Sequence, residues 1–268
     1  MMAKGGTRWG LRGVVFSYLF VLLILPVALI LWRTFEHGLG SVLHSLTTPE
    51  ARHAFKVTLE VAIFAVVLNT LFGVAAAILL VRHRFPGAGI VDALIDLPLA
   101  VSPVVVGLAL ILVYGRRTHV GSWLGSHGIN IIFSLPGMVM ATVFVSLPLV
   151  VRAVAPVLAE MGDEQEQAAS TLGANSRQTF FRITLPSIRG ALVYGVVLSL
   201  ARALGEFGAV AVVSGALLGK TQTVTLFVQE RFQNFDQQAA YAGATALVAV
   251  AIIALIVSRF LRPQGGPS

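Results

Sequence analysis

Long apolar segments alternate with short polar ones along most of the chain. A helix needs about 20 mostly apolar residues to cross the hydrocarbon core of a membrane. Segments of about that length occupy residues 14–32, 57–81, 94–114, 131–151, 191–213 and 239–258. The pattern therefore predicts an all-α integral membrane protein with six transmembrane helices, organised as a single transmembrane domain over residues 1–268.

The first apolar segment could also be a secretory signal, since Lys4, Arg8 and Arg12 precede it. Its apolar run exceeds the roughly 7–15 residues of a signal core, and no small-residue cleavage pattern follows. We expect it to be retained as a helix. The closing stretch RPQGGPS is typical of a frayed end.

The composition indicates that most exposed side chains face lipid and not water. Only 12% of the residues are charged and 56% are apolar, whereas a soluble domain carries roughly 25% charged residues. The net charge of +7 comes from basic residues scattered over short loops, so nucleic acid is not an expected partner. Cysteine is absent, which excludes disulfides and thiolate chemistry.

The distribution of lysine and arginine predicts the orientation, because cytoplasmic loops are enriched in both. With the N-terminus inside, the inner residues are Lys4, Arg8, Arg12, Arg82, Arg84, Arg152, Arg177, Arg182, Arg189, Arg259 and Arg262. The outer residues are Arg33, Arg52, Lys56, Arg116, Arg117, Lys220 and Arg231. The excess inside predicts a multi-pass protein of the cytoplasmic membrane with both termini in the cytoplasm.

One polar insert, EQEQAASTLGANSRQTFFRITLP, interrupts the apolar pattern on the predicted inner side. Asp163 and Glu164 suit a helix N-terminus, Gly173 suits the left-handed residue that ends a helix, and Asn175 or Ser176 can cap a second helix. Pro186 is tolerated in the first turn of a third helix. Residues 163–186 are therefore predicted to form a cytoplasmic helical hairpin with a few exposed apolar side chains, as a docking surface has.

This insert resembles the cytoplasmic signature of ABC-importer permeases, Glu-Ala-Ala, then a glycine, then Ile-x-Leu-Pro. The chain departs from it at one place, where Gln167 stands at the glutamate position with Glu166 beside it. The resemblance implies that the hairpin contacts an ATP-hydrolysing subunit and passes its motion to the pore. The residues carried over to that role are Gln167, Ala168, Ala169, Gly173, Ile183, Leu185 and Pro186.

Two further segments, DLPLAVSPVVVGL and ARALGEFGAVAVVSG, together with LPGMVMATVFVSLPLVVRAV, resemble membrane subunits of molybdate and sulfate importers. The similarity is greatest to the second permease subunit of sulfate/thiosulfate importers, with molybdate or tungstate permeases as the alternative. It implies a sister permease in a heterodimer, two ATP-binding subunits and an extracytoplasmic sulfate-binding protein.

Ionisable residues at bilayer depth are candidates for function. Arg202 lies near the middle of segment 191–213, and Glu206 follows it at a spacing that allows a pair on one helix. Arg202 could line the pathway, or it could only pair with Glu206 and fix helix packing, which we favour because a paired arginine has little field left for a dianion. Ala201, Gly205 and Ala209 predict a stripe for close packing on an adjoining face.

Asp96, Ser102 and Pro103 are the remaining pathway candidates. Prolines at positions 98 and 103 indicate an irregular helix, and a proline inside a spanning helix frees a carbonyl, often near a cavity. A kinked structural helix is the interpretation we favour.

Other functional classes find little support. SGALLGKT, residues 214–221, resembles a phosphate-binding loop, but Gly215 is one position too close to Gly219. The histidines lack metal-ligand spacing. Neither an inverted repeat, typical of ion-gradient transporters, nor a catalytic constellation is visible. We expect a subunit without an enzymatic site, cofactor or metal, whose ATP is bound by a partner.

Overall fold

The computed structural model describes residues 5–261, and within that range the protein contains helices and no strand. The helices are α1 (Gly5–Leu19), α2 (Leu25–Phe35), α3 (Gly38–Thr47), α4 (Pro49–Arg82), α5 (Ala88–Ala100), α6 (Pro103–Tyr114), α7 (His119–Ser126), α8 (Leu135–Met161), α9 (Glu164–Thr171), α10 (Ser176–Thr179), α11 (Leu185–Leu204), α12 (Gly208–Ser214), α13 (Val224–Gln233) and α14 (Gln237–Leu261). Two π-helical turns, Phe20–Ile24 and Phe180–Thr184, join α1 to α2 and α10 to α11.

Each π-helical turn ends next to a Leu-Pro pair that opens the following α-helix. Proline lacks an N–H and its ring collides with the carbonyl four residues earlier in a regular α-helix. In both turns the leucine N–H instead bonds to the carbonyl five residues back, that of Phe20 or Phe180. This wider turn lets the helix continue through the proline.

The helices long and apolar enough to cross a membrane confirm most of the predicted spans. They are Leu11–Phe35, Pro49–Arg82, Leu135–Met161, Ser176–Leu204 and Gln237–Ala254. A sixth span results if α5 and α6 are taken together. The predicted frayed tail, residues 262–268, lies outside the described residues.

The third predicted span, 94–114, is not one kinked helix. α5 and α6 meet at an angle of 113° across Val101 and Ser102. Both of these residues have extended ψ angles, as the residue before a proline prefers. Pro103 then starts α6, so this span is divided into two helices that turn sharply against each other.

The fifth predicted span, 191–213, was also wrong as a single helix. The continuous helix begins earlier, at Ser176, and ends at Leu204. The chain then breaks before α12, which packs against α6 and α8. The predicted stripe of small residues therefore does not exist, because Ala209 belongs to α12 and Gly205 is exposed at the end of α11.

The centre of the fold is α8, with α4 and α11 packed closely against it. A Cβ built on Gly73 of α4 would lie 2.7 Å from Val150 Cβ, and one built on Gly195 of α11 would lie 3.1 Å from Val150 Cα. Only glycine allows both backbones to come this near. The apolar core around this contact consists of Val74, Ala77, Ile95, Val150, Val151, Val154, Leu158 and Ile188.

A polar cluster is buried among the same three helices. The Asn69 side-chain amide of α4 donates to Ser146 Oγ of α8 at 2.7 Å and to Ser199 Oγ of α11 at 3.3 Å. All three side chains are at most 1% exposed. Since buried polar groups require partners, this cluster fixes the register of the three helices as well as their distance.

The Gly73–Val150 contact predicts a large effect of one methyl group. Gly73→Ala should lower the stability of the purified protein by about 1–3 kcal/mol, because the added carbon overlaps Val150 and the two helices must separate. Thermal unfolding in detergent measures this. The matched control is Gly125→Ala in α7, where an added Cβ meets nothing within 4 Å. Equal melting temperatures for Gly73→Ala and the unmodified protein would contradict the packing described here.

Candidate functional site

Residues 163–186 form a helical hairpin, as the sequence predicts, and its turn has well-defined caps. α9 ends at Thr171, and Gly173 follows with φ +85°. The Gly173 N–H donates to the Ser170 carbonyl and the Ala174 N–H to the Ala169 carbonyl, both at 3.0 Å. These are the paired bonds of a Schellman motif, which requires a left-handed residue at the position of Gly173.

The second helix of the hairpin begins with a capping box. Asn175 Oδ1 accepts from the Gln178 N–H, and Gln178 Oε1 accepts from the Asn175 N–H, both at 2.9 Å. The prediction that Asn175 or Ser176 caps this helix is thereby confirmed for Asn175. The prediction of a separate third helix at Pro186 was wrong in one respect, since α10, the π-helical turn and α11 form one continuous helix.

The signature residues occupy two different places on the hairpin. Gln167 and Ala168 are exposed on α9, Ala169 is partly covered, and Gly173 is exposed at the turn. Ile183 and Leu185 are half-buried, where the second helix approaches the transmembrane body, and Pro186 is exposed in the first turn of α11. The outer surface of the hairpin is thus formed by α9 and the turn.

The hairpin exposes two large apolar side chains, of which one, Leu172, was missed as a candidate contact. Leu172, at the turn, is 89% exposed, and Phe181 is 59% exposed. Since neither is covered by this chain, both are available to a partner. An isolated leucine next to the helix-ending glycine in a polar stretch was the signal that could have identified Leu172.

A second set of residues fixes the base of the hairpin, and the sequence did not indicate it. Arg82, in the last turn of α4, donates from Nε to Glu166 Oε2 at 2.9 Å. Its Nη1 and Nη2 donate to the carbonyls of Leu158 and Gly162, at 3.0 and 2.7 Å. Thr184 Oγ1 donates to Glu166 Oε1 at 2.6 Å. The charge next to the signature position therefore belongs to an internal contact.

Arg202 and Glu206 do form an ion pair, but the two residues do not share a helix. Arg202 lies in the last turn of α11, and Glu206 follows the end of that helix. Arg202 Nη1 lies 2.7 Å from Glu206 Oε2, with the arginine side chain 37% and the glutamate side chain 2% exposed. Glu206 Oε1 also accepts from the Ala209 N–H at 2.9 Å, so this carboxylate satisfies a free N–H in the first turn of α12.

The breaks in the third and fifth spans lie beside each other. A Cβ built on Gly208, the first residue of α12, would lie 3.0 Å from Pro103 Cβ, the first residue of α6. Ser102 is exposed next to this contact and Pro103 is partly covered. Discontinuous helices of this kind line the substrate sites of many transporters. Ser102, Pro103, Arg202 and Glu206 therefore belong to one region.

Asp96 does not join that region. Its carboxylate accepts from Arg152 Nε at 2.8 Å and from Arg152 Nη2 at 2.6 Å, and Asp92 Oδ1 lies 2.8 Å from the same Nη2. These contacts tie α5 to α8. The structure thus assigns Asp96 a helix-packing contact separate from the Arg202 pair.

The phosphate-loop-like stretch is a turn that closes α12. Gly215 has φ +65°, and Thr221 Oγ1 donates to the Ser214 carbonyl at 2.7 Å. The strand that precedes a phosphate-binding loop does not occur before it. Among the residues that the structure describes, no three His, Asp or Glu side chains are grouped as a metal site would need.

Comparisons with known proteins agree with this architecture. Residues 69–264 match the model of the family described as "Binding-protein-dependent transport system inner membrane component". The chain is 45% identical to the sulfate transport system permease protein CysW of Synechocystis sp. over 97% of this chain and 94% of that protein. It is 42% identical to CysW of Escherichia coli K12, over 95% and 88%. It is 39% identical to the sulfate transport system permease protein CysT of the same strain, over 93% and 91%.

Solved structures show the same fold. A chain in the crystal structure of a bacterial alginate ABC transporter, in complex with an alginate pentasaccharide-bound periplasmic protein, superposes with a TM-score of 0.78. The alignment covers 95% of this chain and 93% of that chain, at 14% sequence identity.

The ion pair between Arg202 and Glu206 predicts a strongly non-additive pair of substitutions. Arg202→Met alone should destabilise the protein by about 3–5 kcal/mol, because it leaves a buried carboxylate without its partner. The double change Arg202→Met with Glu206→Gln should recover most of this loss, since glutamine retains an oxygen for the Ala209 N–H. Membrane abundance and thermal stability measure both effects.

The control for that experiment is Arg33→Met. Arg33 pairs with Glu36 at 2.9 Å, but the two side chains are 58% and 41% exposed, so its removal should change little. A double variant at Arg202 and Glu206 that is no more abundant than the single one would contradict a simple ion pair.

Proposed function

Since the chain belongs to the family of binding-protein-dependent transport system inner membrane components, we propose that it is the membrane-spanning permease subunit of an ATP-driven importer for sulfate or thiosulfate. The assignment of sulfate as the substrate rests on the identity of 42–45%, over nearly the full length, to permeases named for sulfate transport. A molybdate or tungstate importer is the alternative within the same family. An ion-gradient transporter would need no hairpin of this kind.

The proposed complex contains one copy of this chain, a sister permease, two ATP-binding subunits and an extracytoplasmic sulfate-binding protein. Greater identity to CysW than to CysT of the same bacterium supports a heterodimer of two related permeases. In this arrangement the chain carries no cofactor, and ATP is bound and hydrolysed by the partner subunits. Both termini and the hairpin lie on the cytoplasmic side.

The hairpin is the proposed contact with an ATP-binding subunit. Leu172 is its most exposed apolar side chain and sits on a turn whose geometry is fixed by the Schellman bonds. An exposed leucine on a rigid turn fits an apolar cleft in a partner at low entropic cost. Gln167 and Ala168 lie exposed on the preceding helix and would border that contact.

The continuous helix from Ser176 to Leu204 provides a path from the hairpin to the membrane interior. It contains 29 residues, so it extends about 44 Å at 1.5 Å per residue. Its cytoplasmic end is the second helix of the hairpin, and its other end carries Arg202. Movement of the hairpin with the ATP-binding subunits would therefore displace the Arg202–Glu206 region and the adjacent breaks, which supports alternating access of the pore.

Arg202, Glu206, Ser102 and Pro103 are the candidate pathway residues of this chain, and for Arg202 we favour the role of ion-pair partner to Glu206. Arg202 is 37% exposed although it is paired, so it can present part of its guanidinium to an anion. Asp96 is less suited to that role, because Arg152 of α8 engages its carboxylate. Full abundance without uptake in the Arg202→Met, Glu206→Gln double variant would identify Arg202 as a pathway residue; partial recovery of uptake is expected from the neutral pair.

Uptake by cells tests the substrate. A strain lacking this chain should lose uptake of labelled sulfate, and restoring the chain should restore it. Excess unlabelled thiosulfate should compete in the restored strain, whereas excess molybdate should not. Restored molybdate uptake without sulfate uptake would instead support the alternative.

The docking role of Leu172 predicts that a substitution there lowers transport without lowering the amount of permease in the membrane. Leu172→Asp should lower uptake at least roughly tenfold with unchanged membrane abundance, because a charge cannot enter an apolar cleft and a central anchor contributes 2 kcal/mol or more. Co-purification of the ATP-binding subunit with the permease measures the contact directly.

Leu218→Asp provides the matched control. Leu218 is 57% exposed in the turn between α12 and α13, at the opposite end of the molecule by the proposed orientation. The Leu218→Asp variant should still co-purify with the ATP-binding subunit and should still take up sulfate. Normal co-purification with Leu172→Asp would exclude Leu172 from the interface.

A further inference from the structure

Apolar packing does not hold the first helix of the hairpin in place. All residues of α9 are described, and none of them is buried. A cavity of about 530 Å³ lies between the hairpin and the transmembrane body, lined on one side by Ser170 and Ala174 and on the other by Ile78 and Arg82. Since α9 buries no side chain completely, its position depends largely on polar contacts across this gap.

Glu166 supplies those contacts on the side of α4 and α8. Arg82 bonds Glu166 through Nε while its two other nitrogens bond the carbonyls of Leu158 and Gly162. Carbonyls at a helix C-terminus have no partner within the helix and carry partial negative charge, which a guanidinium satisfies. One arginine therefore joins the cytoplasmic ends of α4 and α8, and Glu166 attaches α9 to both.

Glu166 also makes a contact on the side of α11. Its second oxygen accepts from Thr184, which is 5% exposed and closes the π-helical turn before α11. The Arg82 and Glu166 side chains are only 13% and 18% exposed. Charge-assisted bonds in such a shielded place are stronger than those at a surface, so the contacts on both sides resist displacement.

We propose that Glu166 is a positioning residue for coupling, whose carboxylate ties α9 to the ends of α4 and α8 through Arg82 and to α11 through Thr184. A displacement of the hairpin then moves these helices together instead of closing the cavity behind α9. This assignment rests on the proposed function. It separates two roles, since Gln167 faces outward while Glu166 faces the membrane body.

The test uses the complete transporter in proteoliposomes with its sulfate-binding protein. Glu166→Gln keeps the shape of the side chain and loses its charge. ATP hydrolysed per sulfate imported should rise roughly tenfold, as expected when an element that carries coupling is weakened. Hydrogen exchange of the α9 amides should rise as well, because the helix is less firmly held. The exchange measurement does not depend on the substrate, so it remains informative if the proposed function fails.

Glu164→Gln is the matched control, because Glu164 lies on the same helical turn but is exposed. This variant should change neither the ATP hydrolysed per sulfate imported nor the hydrogen exchange of α9. Thr184→Val removes only the hydroxyl on the α11 side and should raise the ratio by a smaller factor. Glu166→Asp keeps the charge and should recover part of the coupling. An unchanged ratio and unchanged exchange in Glu166→Gln would overturn the proposal. Loss of both Glu166→Gln and Thr184→Val from the membrane would also overturn it in favour of a role in folding alone.

Discussion

The close approach of α4 and α11 to α8 at Val150 is the constraint on which the rest of the structure depends. Glycines on both neighbours permit it, and the buried contacts of Asn69 with Ser146 and Ser199 fix the register. With these helices aligned, the C-terminal end of α4 lies beside that of α8. Arg82 can then reach the last carbonyls of α8 and the base of the hairpin. The hairpin is thus positioned by packing that begins in the membrane interior.

The same packing places the hairpin and the Arg202–Glu206 pair at the two ends of one continuous helix. At its N-terminal end α11 is continuous with the hairpin through the π-helical turn before Pro186, and at its C-terminal end it stops beside Arg202 and Glu206. The π-helical turn matters because a proline would otherwise interrupt the helix between the proposed docking surface and the Arg202 region. Mechanical continuity therefore depends on a local backbone adjustment that accommodates one residue.

Sequence reasoning predicted the features that depend on neighbouring residues. The apolar runs located the spans, Gly173 located the left-handed turn, and Asn175 located a cap, because each follows from local chemistry. The break near Ser102 was predicted only as a kink and the break near Glu206 was not predicted, since hydropathy measures transfer into lipid and does not depend on whether a helix is continuous.

Contacts between residues that are distant in the sequence could not be predicted either, because hydropathy and local chemistry describe only neighbouring residues. Arg82 and Glu166 are far apart in the sequence, and nothing in the spacing of either residue indicates the other. The predicted stripe of Ala201, Gly205 and Ala209 was wrong because it assumed that one helix continues to Ala209, whereas α11 ends at Leu204.

The central claim, that the turn of the hairpin meets an ATP-binding subunit, is tested most directly by cross-linking. The chain has no native cysteine, so single cysteines at positions 172 and 218 can each carry a short cross-linker in the intact transporter. Position 172 should cross-link to the ATP-binding subunit in membranes, and position 218 should not. Cross-linking of that subunit to position 218, or its absence at position 172 in an active transporter, would contradict the account.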